Sequence, residues 1–336
     1  MKAVGGVVSF MATNLEIATT FRVSGKVIED GEITIPVGLL VNIINNIKSD
    51  RLNFETKDAM LEIKTDNYNA TIQGLSAEDF PPAPQIKNAD SYIEIKGIFL
   101  KEAIQQVDAA AQMSDLRPEL SSIFFNFSIE TLKLAATDGF RLAEKTIPAA
   151  NFTAKNQEPF TMLVPLKTAH EVQRVAKDDE LVKIHFDDNQ VLFKTETFEI
   201  VSRLIEGNFP DYTQIIPKNF ISEIVVNGAD LLNGVKLAAV FGQKNGEVEI
   251  KVHPSKKAIE IVSADQALGT NEYLLPAKIK GEGISVVFNW RYLSEPLKVI
   301  KTEEILLGFQ EEANPACIRP AADGSYFYVI KPILKA

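Results

Sequence analysis

Residues 132–147 read LKLAATDGFRLAEKTI: one apolar run enters Asp138-Gly139 and a second apolar run leaves it. Asp-Gly between two such runs is a strong signal for a tight β-hairpin. Arg141 breaks the exit strand between Phe140 and Leu142, beside Thr137 and Asp138. A charged side chain at that place is either a solvated edge or half of a binding site.

The hairpin belongs to a repeat. MATNLEIA (11–18) matches AATDGFRLA (135–143) and, more weakly, VSADQALGT (262–270), which places turn residues Asn14, Asp138 and Asp265 at separations of 124 and 127. ITIPVGLLVNIINNI (33–47), MLVPLKTAHEVQRVA (162–176) and VVFNWRYLSEPLKVI (286–300) each run from a strand into an amphipathic helix. Their hinge residues Pro36, Pro165 and Asn289 lie 129 and 124 apart. Proline is pre-organised for a helix start, and asparagine caps one. SAEDFPP (76–82) against IEGNFPD (205–211) repeats the spacing, with Pro81 and Pro210 separated by 129. Three markers in one order define three units of about 125 residues.

Each unit reads as α+β, with two helices on antiparallel sheet. In the second, SYIEIKGIFLKEAIQQVDAAAQM (91–113) is a strand followed by a helix; in the third, helices are expected over 228–244 and 289–301. The first is short. Asn14 has 13 residues ahead of it, whereas Asp138 stands 42 after Lys96, so the first helix and strand of that copy are missing. GVVSFMATN therefore reads as a strand of a shortened unit and not as a secretion signal. A half-copy would leave an unpaired edge and an exposed apolar face, so the natural product is expected to begin upstream of Met1.

Composition bounds the function. A hydrophobic share of 46% and a charged share of 24% are ordinary for a globular protein, and no apolar run reaches the ~18 residues of a membrane span. One cysteine, Cys317, excludes an internal disulfide framework and fits a reducing cytoplasm. The net charge of −10 argues against a nucleic-acid partner until its placement is considered. The five helical segments hold Lys48, Lys96, Lys101, Lys167, Arg174, Lys177, Lys236, Lys244, Arg291, Lys298 and Lys301 against Glu102, Asp108, Glu171, Asp230 and Glu295. That surplus of six leaves −16 on the rest of the chain. Repeats set side by side would line one positive surface with these helices and keep an acidic exterior.

Catalytic chemistry is not legible. His170, His185 and His253 fall in separate segments; HEVQR (170–174) has Arg174 where a zinc helix needs its second histidine. HFDD (185–188) precedes Asn189 in a turn cluster, and neither a nucleophile elbow nor a phosphate loop occurs. Asp138 and Arg141 lack a sequence-adjacent nucleophile or base. No cofactor or metal is expected.

The set ATDGFRLAEKTIP, RLIEGNFPDYTQIIPKN, GLSAEDFPP and a C-terminal YVIKPIL resembles the bacterial DNA polymerase III beta subunit, the sliding clamp, from about Val7 to the C-terminus. The resemblance implies three clamp-type domains, here 1–88, 89–213 and 214–336 with the first incomplete. It implies a head-to-tail homodimer that closes a ring around double-stranded DNA without sequence preference, and a non-catalytic processivity factor of the cytoplasm with no membrane partner. Phosphate contacts alone give Kd values of only ~10⁻⁴ to 10⁻⁶ M and weaken steeply with salt, so enclosure, not affinity, would hold a polymerase on its template. Expected DNA-contacting residues are Lys101, Arg117, Lys167, Arg174, Lys177, Lys236, Lys244, Arg291 and Lys298.

By the same resemblance the opening hairpin walls a pocket of Leu120, Thr137, Gly139, Phe140, Arg141, Leu142, Pro210, Gln214, Ile215, Val329, Lys331, Pro332, Ile333 and Leu334. That pocket takes short linear peptides, with a glutamine and bulky apolar residues, from polymerase, clamp loader and repair proteins. Apolar residues would supply affinity, and Arg141 would orient the peptide. Gln214 and Lys331 stand where family members commonly have arginine and methionine, and Pro296 interrupts a helix in which they usually lack proline. The joint is expected to set Ile43, Ile47 and NATIQGL against Val240, Phe241 and the strand near Leu274 of a second copy. The alternative is a monomeric peptide-binding adaptor whose shortened first domain cannot close a ring.

Overall fold

The structure, a computed structural model, describes the chain apart from residues 83, 85, 88, 89, 115, 156, 157, 243–245, 335 and 336. In order, the chain forms β1 (Lys2–Val4), β2 (Val7–Thr13), β3 (Ile17–Val23), β4 (Gly31–Glu32), α1 (Val37–Asn46), β5 (Asn53–Lys57), β6 (Met60–Lys64) and β7 (Asn69–Gln73). Next come β8 (Tyr92–Lys96), α2 (Gly97–Asp108), β9 (Ser122–Phe127), β10 (Thr131–Thr137), β11 (Arg141–Pro148), β12 (Phe152–Lys155), β13 (Phe160–Pro165) and α3 (Leu166–Val175). β14 (Leu181–Phe186), β15 (Gln190–Lys194), β16 (Phe198–Arg203), β17 (Ser222–Asn227), α4 (Gly228–Phe241), β18 (Glu247–His253), β19 (Ala258–Asp265) and β20 (Gly269–Pro276) follow. β21 (Lys278–Gly281), β22 (Ser285–Asn289), α5 (Trp290–Val299), β23 (Glu304–Phe309), β24 (Ala316–Pro320) and β25 (Tyr326–Ile330) complete it.

The repeat is confirmed at atomic level by its turns. The side-chain Oδ1 of Asn14 accepts from the N–H groups of Glu16 and Ile17, that of Asp138 from Phe140 and Arg141, and that of Asp265 from Ala267 and Leu268, all at 2.8–3.0 Å. This is the local bond by which Asn and Asp close a turn on their own backbone. Gly139 adds the positive φ of 90°. Pro36, Pro165 and Asn289 all stand at helix N-caps in extended backbone, and Asn289 accepts from Arg291 N–H at 2.9 Å. The two prolines are thus one position earlier than the first helical residue.

The chain forms two compact units, Met1–Tyr92 with Val182–Arg203 and Ile93–Leu181 with Leu204–Ala336. In the first, strands run β14-β15-β16-β3-β2-β1-β4, beside a separate sheet β5-β6-β7. α1 is the one α-helix described in this unit, against two for each of the other repeats; it packs Leu40 on Leu61, Ile63 and Ile72. In the second, a nine-stranded sheet runs β13-β9-β10-β11-β25-β24-β23-β17-β21, beside β20-β19-β18-β22. Compactness departs from the repeat boundaries for one reason. The closing strand of a repeat pairs with the hairpin of the repeat before it: β16 lies on β3, with Val201 opposite Ala18, and β25 lies on β11, with Val329 opposite Leu142.

α2 buries Leu100, Ala103, Ile104 and Val107, the spacing of one helical face. Its first residue, Gly97, donates to Glu180 O, and a Cβ there would collide with Lys177 O. Gly228 opens α4 in the same way, donating to Glu303 O at 2.9 Å. In the second unit α2 packs beside α3, α4 beside α5, and α2 also touches α5, giving a row α3-α2-α5-α4.

Candidate peptide pocket and helix row

The Thr137–Leu142 turn is built by side chains that bond their own backbone. Thr137 Oγ1 donates to Arg141 O at 2.6 Å and accepts from Gly139 N–H at 3.1 Å, so the tip is held rigid and Phe140 stands 61% exposed. Leu142 clusters with Ala135, Val329 and Tyr212 on one face of the sheet, with Phe124 and Phe209 stacked beside them at 4.8 Å. Tyr212 fixes the segment that carries Pro210, Gln214 and Ile215. Its hydroxyl donates to Glu144 Oε2 at 2.6 Å, and Lys133 reaches the other oxygen at 3.1 Å. Burial, then the Glu144 carboxylate, push the Tyr212 phenol up, so it stays a donor.

The end of β25 lies against the turn. Lys331 N–H donates to Phe140 O at 2.9 Å, and Ile333 N–H to Val287 O at 2.8 Å. Leu334 (67%) and Ile215 (42%) are exposed apolar side chains; Gln214 and Lys331 are exposed, Pro332 and Ile333 half-buried, and Leu120 is buried. The structure thus sets Leu142, Val329 and the Tyr212 segment on one face, with Thr137 opposite Leu142 in the hairpin.

Arg141 departs from expectation. Its guanidinium bonds Asp138 Oδ2 at 2.9 Å, reaches Ala111 O at 3.4 Å beyond α2, and lies 4.3 Å from the ring centroid of Tyr292 on α5. Side chains alternate across a strand, so Arg141 points to the helix layer while Leu142 points to the opposite face, with Val329 and Tyr212. With a side-chain exposure of 12% it anchors the turn from behind. Sequence reading missed Glu144, Tyr212, Tyr292 and Tyr328, which meet across separations of 68 and 36 positions. An acid inside a buried strand, Glu144, was the one available signal.

The helix row is less positive than the sequence implied. The helices end in extended backbone at Ile47, Ala176 and Ile300, so Lys48, Lys177 and Lys301 fall outside them, and Lys96 is an N-cap. Of the expected DNA contacts, Lys101 pairs with Asp178 at 2.6 Å, Arg174 with Glu171 at 2.7 Å, Lys298 with Glu295 at 2.7 Å and Arg117 with Glu119 at 3.0 Å. Such surface pairs add little stability, yet they cancel charge locally. Lys167, Lys177 and Lys236 are exposed and form no ion pair among the described residues, and Arg291 lies over its neighbour Trp290 at 5.0 Å. Lys244 lies outside the described residues. Lys167, His170 and Arg174 share one face of α3, where His170 meets Asp108 of α2 at 2.7 Å.

Two of the terminal strands among the described residues are β7 and β20. β7 ends the sheet β5-β6-β7, and β20 ends β20-β19-β18-β22. Gly74 N–H donates to Ala59 O, so strand alternation turns the N–H groups of Thr71 and Asn69 away from β6. Ala277 N–H donates to Lys257 O, which likewise turns those of Thr270 and Glu272 away from β19. Near β7, half-buried Ile43 and Ile47 line a groove of about 510 Å³ with Leu39, Asn67 and Tyr68. In the second unit Val240 (53%) and Leu274 (59%) are exposed, and Phe241 is half-buried.

Comparison with known proteins agrees with this architecture. The DNA polymerase III beta subunit N-terminal domain matches residues 1–84, its central domain 94–211 and its C-terminal domain 213–334. The beta sliding clamp of Synechococcus elongatus is 26% identical over 330 residues, covering 97% of this chain and 87% of that one. The Staphylococcus epidermidis beta sliding clamp is 26% identical over 327 residues, with coverages of 95% and 85%. The crystal structure of the DNA polymerase sliding clamp from Bacillus subtilis superposes with a TM-score of 0.92 at 26% identity, over all of this chain and 90% of that one. The Thermotoga maritima DNA polymerase III beta subunit shares the fold with a TM-score of 0.90 at 24% identity, covering 100% and 90%. With three domains matched in order along nearly its whole length, the chain belongs to the DNA polymerase III beta subunit family.

Proposed function

We propose that this chain is the processivity clamp of a replicative DNA polymerase, a cytoplasmic, non-catalytic subunit of three domains (1–88, 89–213 and 214–336). Two copies join head to tail around duplex DNA, and the slot beside Thr137–Leu142 captures short peptides of polymerase, clamp loader and repair proteins. One observation carries the reading. The chain contains two joints of one kind, β16 on β3 and β25 on β11, and the corresponding third pair, β7 and β20, is left open. A repeat that joins itself twice through identical edges and exposes the third closes by pairing that edge with a second copy.

The register follows from the internal joints. Thr195 and Thr65 each end a strand, accepting from Thr197 N–H and Asn67 N–H, which makes Thr71 the counterpart of Val201. Val201 faces Ala18 and Val329 faces Leu142, each partner lying opposite the residue before the Asx turn; Thr270 holds that place opposite Ala264. Thr71 of one copy then pairs with Thr270 of the other, and Asn69 with Glu272. Both members of each pair have outward N–H groups, as a hydrogen-bonded antiparallel pair requires. The same register carries Leu274 toward Asn67 and the groove by Ile43 and Ile47.

Lys167, Lys177, Lys236 and Arg291 would then give the lumen mild positive charge, enough to attract phosphates and too little to halt sliding. The test is retention on DNA. Assembled on a nicked circular duplex, the protein is expected to remain bound in high salt and to leave when the circle is cut; dissociation by salt alone would reduce it to the monomeric adaptor.

A further inference from the structure

α5 carries a buried proline, Pro296, in its interior. Proline has no N–H, so the carbonyl of Tyr292, four residues earlier, loses its helical partner. That carbonyl accepts instead from the hydroxyl of Tyr328, at 3.0 Å, a residue of β25 with no exposed surface. Burial pushes the Tyr328 phenol up, so the group is present as a donor. Beside it the guanidinium of Arg141 lies 4.3 Å from the ring centroid of the same Tyr292 and holds Asp138 of the turn. Three elements therefore meet around Tyr292: α5, the hairpin turn and β25, the strand whose next residue, Val329, clusters with Leu142.

We propose that Tyr328 is a positioning residue of the peptide pocket and that Pro296 makes it one: its hydroxyl occupies the carbonyl that the proline frees, and so sets the end of β25 against the Thr137–Leu142 turn. This rests on the reading of the slot as a peptide site. A helix with an ordinary residue at 296 would satisfy the carbonyl itself, and the Tyr328 hydroxyl would then be only its second donor. Buried backbone carbonyls are rarely left unpaired, so the two residues are expected to act as a unit.

The test is a double-mutant cycle of Tyr328→Phe, Pro296→Ala and both together, read in two ways. Unfolding midpoints in urea need no ligand. Affinity is measured by fluorescence anisotropy with a labelled hexapeptide containing a glutamine followed by leucine and phenylalanine. Tyr328→Phe is expected to weaken peptide binding about 3- to 10-fold, the scale of one hydrogen bond, with a lowered midpoint. In the Pro296→Ala background the same change is expected to fall within about 2-fold, because the backbone N–H restored at position 296 bonds the Tyr292 carbonyl. Equal effects in both backgrounds, or an unchanged affinity for Tyr328→Phe, would overturn the proposal. If the unaltered chain fails to bind the hexapeptide, the pocket reading and the positioning role fall together, while the urea cycle still decides whether Tyr328 caps the helix.

Discussion

Thr71→Pro separates the proposed ring joint from every fold contact. The N–H of Thr71 points away from β6, so proline there removes no bond of the sheet β5-β6-β7. In the joint, the change deletes one bond worth about 0.5–1.5 kcal/mol net and leaves the carbonyl of Thr270 in the second copy unpaired, at about 1–3 kcal/mol. Each joint therefore loses about 1.5–4.5 kcal/mol. A closed dimer has two joints, so the loss is about 3–9 kcal/mol, or roughly two to seven powers of ten in the dimer dissociation constant. Sedimentation velocity across a concentration series reads it directly. The natural chain should sediment at twice its 37.1 kDa, Thr71→Pro as a monomer with an unaltered unfolding midpoint, and Thr71→Val as the natural chain. A covalent counterpart uses Asn69→Cys with Glu272→Cys, which should oxidise to a linked dimer. Cys317 stays out of that reaction, since burial pushes its thiol up to about 11. A Thr71→Pro protein that dimerises as tightly as the natural chain would refute the edge pairing and its register.

Alanine at Lys167, Lys177 and Lys236 together should flatten the salt dependence of DNA binding by up to about 0.9 in log–log slope for each phosphate partner removed. Lys101→Ala or Lys298→Ala should change it less, because Asp178 and Glu295 already neutralise those cations; equal effects in a filter-binding titration would contradict this division. Phe140→Ala and Leu334→Ala, both on exposed side chains, should each weaken peptide capture about 10-fold with an unchanged urea midpoint, whereas Arg141→Ala should lower the midpoint as well. Glu199 joins Arg22 and Lys194 at 2.8 Å each where β16 meets β3. Burial pushes its carboxyl up, but hydrogen bonds from Lys194 and Arg22 outweigh that and hold it below its ordinary 4.5. Its contribution is complete above that value and is lost as pH falls through the lower, folded one. Thermal unfolding between about pH 3 and 6 should therefore show an acid limb that Glu199→Gln makes shallower.

Much of the architecture was legible because its signals are local. Asn14, Asp138 and Asp265 each bond N–H groups two and three residues on, so three turns could be recognised from spacing alone. The caps at Pro36, Pro165 and Asn289 act within one helical turn. Charge was legible only as a count. Which lysines remain free depends on partners such as Asp178, 77 positions from Lys101, and no window of sequence shows that distance collapsing to 2.6 Å.

The sequence by itself determined the threefold α+β repeat, the hairpin at Asp138-Gly139 and the family, because turn chemistry, helix caps and the order of motifs are properties of neighbouring residues. Only the tertiary structure decided that Arg141 faces the helices and not the side that carries Leu142, that Tyr328 replaces the N–H missing at Pro296, and that β7 and β20 each end a sheet. Those outcomes turn on which face a side chain takes and which strand lies alongside. Both are settled when distant segments pack together and each buried polar group finds the nearest group able to pair with it.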